Sequence, residues 1–237
     1  MILSKRLRIT LLLVFAFALI LFLPLRIALG VAGLERMGVA ARGVSGTIWS
    51  GHIDQLMFGV IPMGSVRAGL SPIALLTARA RFDIARKRGQ TDDLEGAFTV
   101  GFGRIGIDDV TGTVPLGRAF APLPLGSFQM EDVTAWFAGD HCGHAEGRVR
   151  ARMAGQFPGL NLAQGLSGVA TCDGDALLIP LMSQSGLEKI SLRIWRSGRY
   201  VADMRIETAD PTLAQALGLA GFSAVGGAQS LKVEGTL

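Results

Sequence analysis

Residues 188–208 read EKISLRIWRSGRYVADMRIET. Ile190, Leu192 and Ile194 alternate with Lys189, Ser191 and Arg193, and Tyr200, Ala202, Met204 and Ile206 alternate with Arg199, Asp203, Arg205 and Glu207. Successive side chains on a strand point to opposite faces, so this period of two sorts apolar from polar residues on both runs. Ser197-Gly198 between the runs supplies a two-residue turn. The stretch predicts a β-hairpin with one apolar face.

The same signal extends outward. In GRVRARM (147–153), Val149, Ala151 and Met153 alternate with Arg148, Arg150 and Arg152. In TCDGDALLIPL (171–181), Asp173-Gly174 reads as a turn between apolar runs. Further strands are expected near 44–50, 52–60, 63–70, 78–86, 94–101, 107–115, 129–138, 166–172 and 229–236. Helix signals are few. Ser71-Pro72 and Asp210-Pro211 each place an N-cap residue before a proline at the first helical position, predicting one short helix apiece. The fold class is mostly β, an antiparallel meander-like sheet, curled or sandwiched, with two short helices and one N-terminal transmembrane helix.

Of 237 residues, 49% are apolar, and mean hydropathy is +0.42. The 32 glycines are scattered without a period of three, which excludes a collagen-like chain. Net charge is only +4, with cations interleaved among carboxylates, so no nucleic-acid partner is expected.

The excess hydropathy concentrates in KRLRITLLLVFAFALILFLPLR (5–26), where Ile9 to Leu25 carries no charge. That length approaches the lower limit for a spanning helix. Lys5, Arg6 and Arg8 precede it and by the positive-inside rule hold the leading end in the cytoplasm. The expected organisation is a cytoplasmic basic tail over 1–8, a signal anchor over 9–29 and an exported β-rich domain over 30–237. Small residues at Ala28–Gly30 offer a cleavage-like site. The length of the apolar run and Arg26 beside that site favour an uncleaved anchor.

Chemistry-bearing residues are sparse. DHCGH (140–144) gathers Asp140, His141, Cys142 and His144, with Cys172 and Asp173 as a second source of ligands. A zinc reading needs four well-directed ligands, usually from separated pairs. In an exported domain two cysteines read first as a disulfide. A strand leaving Cys142 and another returning to Cys172 would bring them to one end of the sheet. GFGRIG (101–106) has the spacing of a dinucleotide fingerprint, but strand and turn residues follow it where a helix is required. Asp92-Asp93 and Asp108-Asp109 are adjacent carboxylates; on a strand such neighbours diverge. His52 stands alone. Trp49, Trp136 and Trp195 lie in strand-like stretches and read as packing residues. No nucleophile is paired with a base. The expectation is no enzyme, no cofactor and no metal.

GVSGTIWSG (43–51) follows the apolar segment closely. Its glycines read as turn or bulge positions, and Thr47, Ile48 and Trp49 as strand formers. Gly46, Thr47, Ile48, Trp49, Ser50 and Gly51 match a block carried, shortly after a membrane helix, by the N component of the bacterial type II secretion system, and the chain resembles that family. LSPIALLTARAR (70–81) and the stretch from Cys172 to Tyr200 are also similar to it. The resemblance implies a protein of the bacterial inner membrane: a single-pass, periplasmic accessory subunit of the secretion platform, partnered by other inner-membrane subunits and without catalysis. A different reading, from DALLIPL (175–181), is a membrane-anchored β-groove that shields lipid, since that run is apolar on both strand faces.

Overall fold

The computed structural model describes residues 5–32, 38–86, 93–101, 103–154, 162 and 164–237. In chain order these form α1 (Lys5–Leu21), α2 (Leu25–Ala32), β1 (Val39–Ala40), β2 (Gly43–Thr47), β3 (Ser50–Phe58), β4 (Ile61–Leu70), α3 (Pro72–Leu76), β5 (Ala80–Arg86), β6 (Leu94–Gly101), β7 (Arg104–Pro115), β8 (Leu125–Ala138), β9 (His141–Met153), β10 (Leu166–Val169), β11 (Thr171–Asp173), β12 (Ala176–Met182), β13 (Glu188–Trp195), β14 (Arg199–Glu207), α4 (Pro211–Leu219), β15 (Ser223–Val225) and β16 (Ala228–Thr236).

The strands form one antiparallel sheet, ordered β1-β3-β4-β5-β6-β7-β8-β9-β10-β12-β13-β14-β16-β15, with β2 also on β3 and β11 also on β12. Almost every strand pairs with its sequence neighbour, as the meander pattern predicts. In the hairpin at 188–208 Ile190, Leu192, Tyr200, Ala202, Met204 and Ile206 are all buried. Its turn is longer than expected: Ile194 pairs with Tyr200, the loop spans Arg196 to Gly198, and Gly198 takes a φ of +82°. The turn expected at Asp173-Gly174 falls one residue later, because Asp173 pairs with Ala176.

The sheet curls without closing into a hydrogen-bonded barrel. Register shifts interrupt β3, β7 and β8 where Gln55, Asp109 and Asp132 adopt φ of about +50°. Such bulges bend a strand and increase its twist. The curl brings the β3–β4 turn back to the far end of the meander: a Cβ at Gly59 would lie 2.6 Å from the carbonyl carbon of Leu237. Ile61 accordingly joins the main core, which runs through Leu116, Phe120, Leu125, Val149, Leu166, Leu181, Leu192 and Ile206. A second, smaller core holds Leu25, Ile53, Leu56, Val66 and Ala68. Between β4 and β7, the buried Arg86 donates to the carbonyl oxygens of Met63 and Thr113. It thereby ties strands that are not neighbours in the sheet.

Both expected short helices form. Asp210 caps α4 by accepting from the Thr212 amide at 2.8 Å; the bond from the Thr212 hydroxyl, at 2.6 Å, and then this amide bond lower the Asp210 carboxyl below its usual range. The leading apolar segment does not form one continuous helix. Pro24 has no N–H, and its ring restricts Leu23, so α1 stops at Leu21 and α2 starts again at Leu25. Among the described residues no helix is long and apolar enough to cross a membrane. Arg6 is exposed; the side chains of Lys5 and Arg8 lie outside the described residues.

Candidate functional site

GVSGTIWSG is a hairpin, not a single strand. Gly43–Thr47 forms one arm, Ile48-Trp49 the turn, and Ser50-Gly51 opens the other arm. Gly46 pairs with Gly51 and Thr47 with Ser50. Strong strand formers occupy the turn because both reach across to other elements. Ile48 is buried; its amide donates to Leu23 O at 3.0 Å, and its carbonyl accepts from the Leu70 amide at 2.7 Å. Thr47 bridges to Pro24. The indole Nε1 of Trp49 donates to Ile20 O at 3.1 Å.

These bonds fall where α1 lacks donors. The last carbonyls of any helix have no intrahelical partner. In an α-helix the carbonyl of Ile20 would take the N–H of residue 24, which is a proline and has none. Trp49 supplies that N–H, and Ile48 satisfies Leu23. The two glycines make room for the joint. A Cβ at Gly46, whose φ is +85°, would lie 2.5 Å from Ser50 O, and one at Gly51 would lie 2.3 Å from Leu25 Cδ2. Leu25 is the fully buried residue that seats α2 on the sheet. Nothing in the local sequence of residues 20–25 marks them as partners of the tryptophan block; the proline was the available signal.

Beside the hairpin an open groove of about 500 Å³ runs over Trp49, Gly51, Arg67, Arg81, Glu95 and Asp109. Arg81 is its electrostatic centre, with Nε 2.9 Å from Asp83 and its other nitrogens 3.6 Å from Asp108 and 3.4 Å from Asp109. Asp83 first, then Asp109 and Asp108, raise the Arg81 guanidinium above its ordinary pKa. Asp108 and Asp109 therefore converge, against the expectation that they diverge. The bulge at Asp109 breaks the period of two and turns consecutive carboxylates to one cation. Asp92, of the other carboxylate pair, lies outside the described residues.

Cys142 and Cys172 are joined in a disulfide, with Cα atoms 5.5 Å apart. The bond occupies both sulfurs of the zinc reading. Around it His141 contacts Asp175, and His144 Nε2 lies 3.4 Å from Glu146. His52 pairs with Asp54 at 3.1 Å. In GFGRIG, Arg104 opens strand β7, so the glycines border a hairpin and a strand, not a helix, follows them; Phe102 lies outside the described residues. Trp136 and Trp195 are half-buried on the sheet, each beneath an arginine: Arg104 at 4.5 Å and Arg199 at 3.7 Å from the ring centroids.

The fold and joint define a class: an antiparallel sheet whose leading hairpin grips the end of an apolar helix. The protein N model of the type II secretion system matches residues 37–232, and the chain belongs to the type II secretion system protein N family. It is similar to the type II secretion system protein N of Vibrio cholerae serotype O1 (strain ATCC 39315 / El Tor Inaba N16961), 29% identical over 141 residues. That match covers 56% of this chain and 56% of the Vibrio protein, so the chain spans about half the length of this curated relative. No solved structure matches.

Proposed function

We propose that the protein is an accessory subunit of type II secretion, held in the inner membrane by α1, with its sheet in the periplasm and its task structural. The observation that carries this reading is the character of α1. Leu11, Leu12, Leu13, Val14 and Phe15 are each 60% to 66% exposed. At 100° per residue these five consecutive side chains cover every direction around the helix, and a helix apolar on all sides requires an apolar surround. The uncharged part of α1, from Ile9 to Leu21, reaches about 20 Å against a hydrocarbon core of about 30 Å, and Phe22 and Leu23 continue the apolar run to Pro24. Family membership supports the secretion role.

In this reading the Trp49 hairpin transmits position. It bonds to the end of α1 and, through Leu70, to the next strand pair, so a subunit bound laterally to α1 is held at a set place relative to the sheet. The sheet order ends at β15, an edge of the kind that serves strand addition by platform partners, whereas β2 carries a bridge from Thr47 to Pro24. A lipid-shielding groove gains no support from the grooves described. One is centred on Arg81 and its carboxylates, and the other, of about 340 Å³, is lined by Arg86, Asp93, Glu95, Thr113 and Glu131.

The test is deletion in the native host followed by a secretion assay, together with photocrosslinking from β15 and from α1. Loss or slowing of secretion, with crosslinks to inner-membrane secretion subunits, is the expected result. Unchanged secretion of every substrate would remove the reading.

A further inference from the structure

We infer that α3 and the residues flanking it form a second, peripheral contact with the lipid surface, dipping into the headgroup region beside the point where α1 leaves the bilayer. This rests on the membrane-anchored reading of α1.

α3 is a single turn of helix with none of its residues buried. Ile73 is 75% exposed and Leu76 87%, and three positions apart on a helix they share a face. Leu75 at 42% and Val100 at 41% extend the apolar surface. Val100 is brought alongside because it pairs with Ala80, just beyond the turn. Large apolar side chains clustered in this way mark a contact surface.

The position of the patch selects its occupant. The Leu70 amide bonds to Ile48 O, Trp49 of the same turn bonds to Ile20 in α1, and Pro72 opens α3 two residues after Leu70. The patch is thus tied, through two hydrogen bonds, to the end of the apolar helix, where Leu21 and Phe22 are also exposed. The polar groups nearby fit an interface. Trp49 is half-buried, with an apolar ring and a bonded N–H, and the exposed Arg26 and Arg79 follow the two apolar segments. Tryptophan and arginine at such positions are the usual residues of the headgroup level. A turn too short to span, apolar on its outer face and flanked by cations, lies in the interface plane.

The full chain carries both cysteines in a disulfide, so an added cysteine can be labelled alone. Leu76→Cys, Val14→Cys and Val225→Cys, each carrying an environment-sensitive fluorophore, are compared in vesicles of phosphatidylethanolamine and phosphatidylglycerol containing phospholipid spin-labelled near the glycerol backbone or deep in the acyl chain. Val225 is an exposed apolar control on β15. The expected result is a blue shift and quenching at position 76 by the shallow label, deeper quenching at position 14, and neither at position 225. Quenching at 14 without quenching at 76 overturns this inference and leaves the anchor standing. Absence of quenching at 14 overturns the anchor and this inference with it. Equal quenching at 76 and 225 overturns it in favour of unspecific adsorption.

Discussion

The indole of Trp49 donates to the carbonyl oxygen of Ile20, the acceptor that Pro24 deprives of its own intrahelical donor. Two signals 25 positions apart are thereby one device. The proline ends the apolar helix, and the tryptophan closes the end. Near a lipid phase the closure matters more than in water, because an unbonded carbonyl there has no solvent to turn to.

Replacing Trp49 by phenylalanine keeps the ring and removes the donor. The Ile20 carbonyl then keeps only the longer bond from the Leu23 amide, at 3.4 Å, and losing the indole bond costs about 0.5–1.5 kcal/mol. The joint should open more often, so amide exchange at Ile48 in membrane-reconstituted protein should accelerate by roughly two- to tenfold, while the buried amides of β13 keep their rates. Uniform acceleration across the sheet would mean that the tryptophan serves global stability instead.

Gly51 and Leu25 compete for one space. Gly51→Ala should destabilise by about 1–3 kcal/mol, the usual range for overpacking. Leu25→Ala should cost about 2–5 kcal/mol by itself. In the double variant the alanine at 51 should cost less than it does alone, the remainder coming from Ser45 O and Thr47 O, each 3.1 Å from the added Cβ, and this coupling is read from denaturant unfolding of the four proteins. Additive effects would show that the clash with Leu25 is not what requires glycine.

The disulfide closes a segment with a sequence separation of 30. On the chain-entropy model, removing it by Cys142→Ser with Cys172→Ser should cost about 3–4 kcal/mol. Thermal unfolding with and without reductant should show the loss in the parent protein, and reductant should leave the double variant unaffected.

Tyr200 is the one tyrosine of the chain, 4% exposed, with its hydroxyl donating to Ala119 O at 2.6 Å. Burial raises its pKa above the ordinary phenol value. The folded state therefore holds this proton more firmly than the unfolded state. Its contribution to stability is complete below about pH 10, the unfolded value, and is lost as pH rises through the folded value. Phenolate absorbance should develop later in the folded protein than in denaturant. Tyr200→Phe should flatten the alkaline fall in stability, at a cost of roughly 0.5–1.5 kcal/mol for the bond.

Much of the sheet was legible in its alternation. Arg148, Arg150 and Arg152 are exposed while Val149 and Ala151 are buried, and β13 and β14 obey the same rule on both arms. The pairing of Cys142 with Cys172 was legible as well, from the expectation of an exported domain and from strands that return to one end. The errors are local and share a cause. Thr47-Ile48-Trp49 reads as strand on propensity, yet Ile48 and Trp49 form a turn, because bonds to Leu23, Leu70 and Ile20 hold them there. Asp108 and Asp109 read as divergent, yet one bulge turns both to Arg81. Side-chain preference and period describe a strand paired evenly; they carry no term for a distant donor or an inserted residue.

By itself the sequence determined the antiparallel sheet, the short helices and the apolar character of α1, since each depends on residues close together in the chain. Only the tertiary structure decided that Pro24 and Trp49 complete one another, that Gly51 is the seat of Leu25, and that the curl carries Gly59 to Leu237. Those relationships join positions remote in sequence, where hydrogen-bond satisfaction and excluded volume act between chain segments that no local pattern connects.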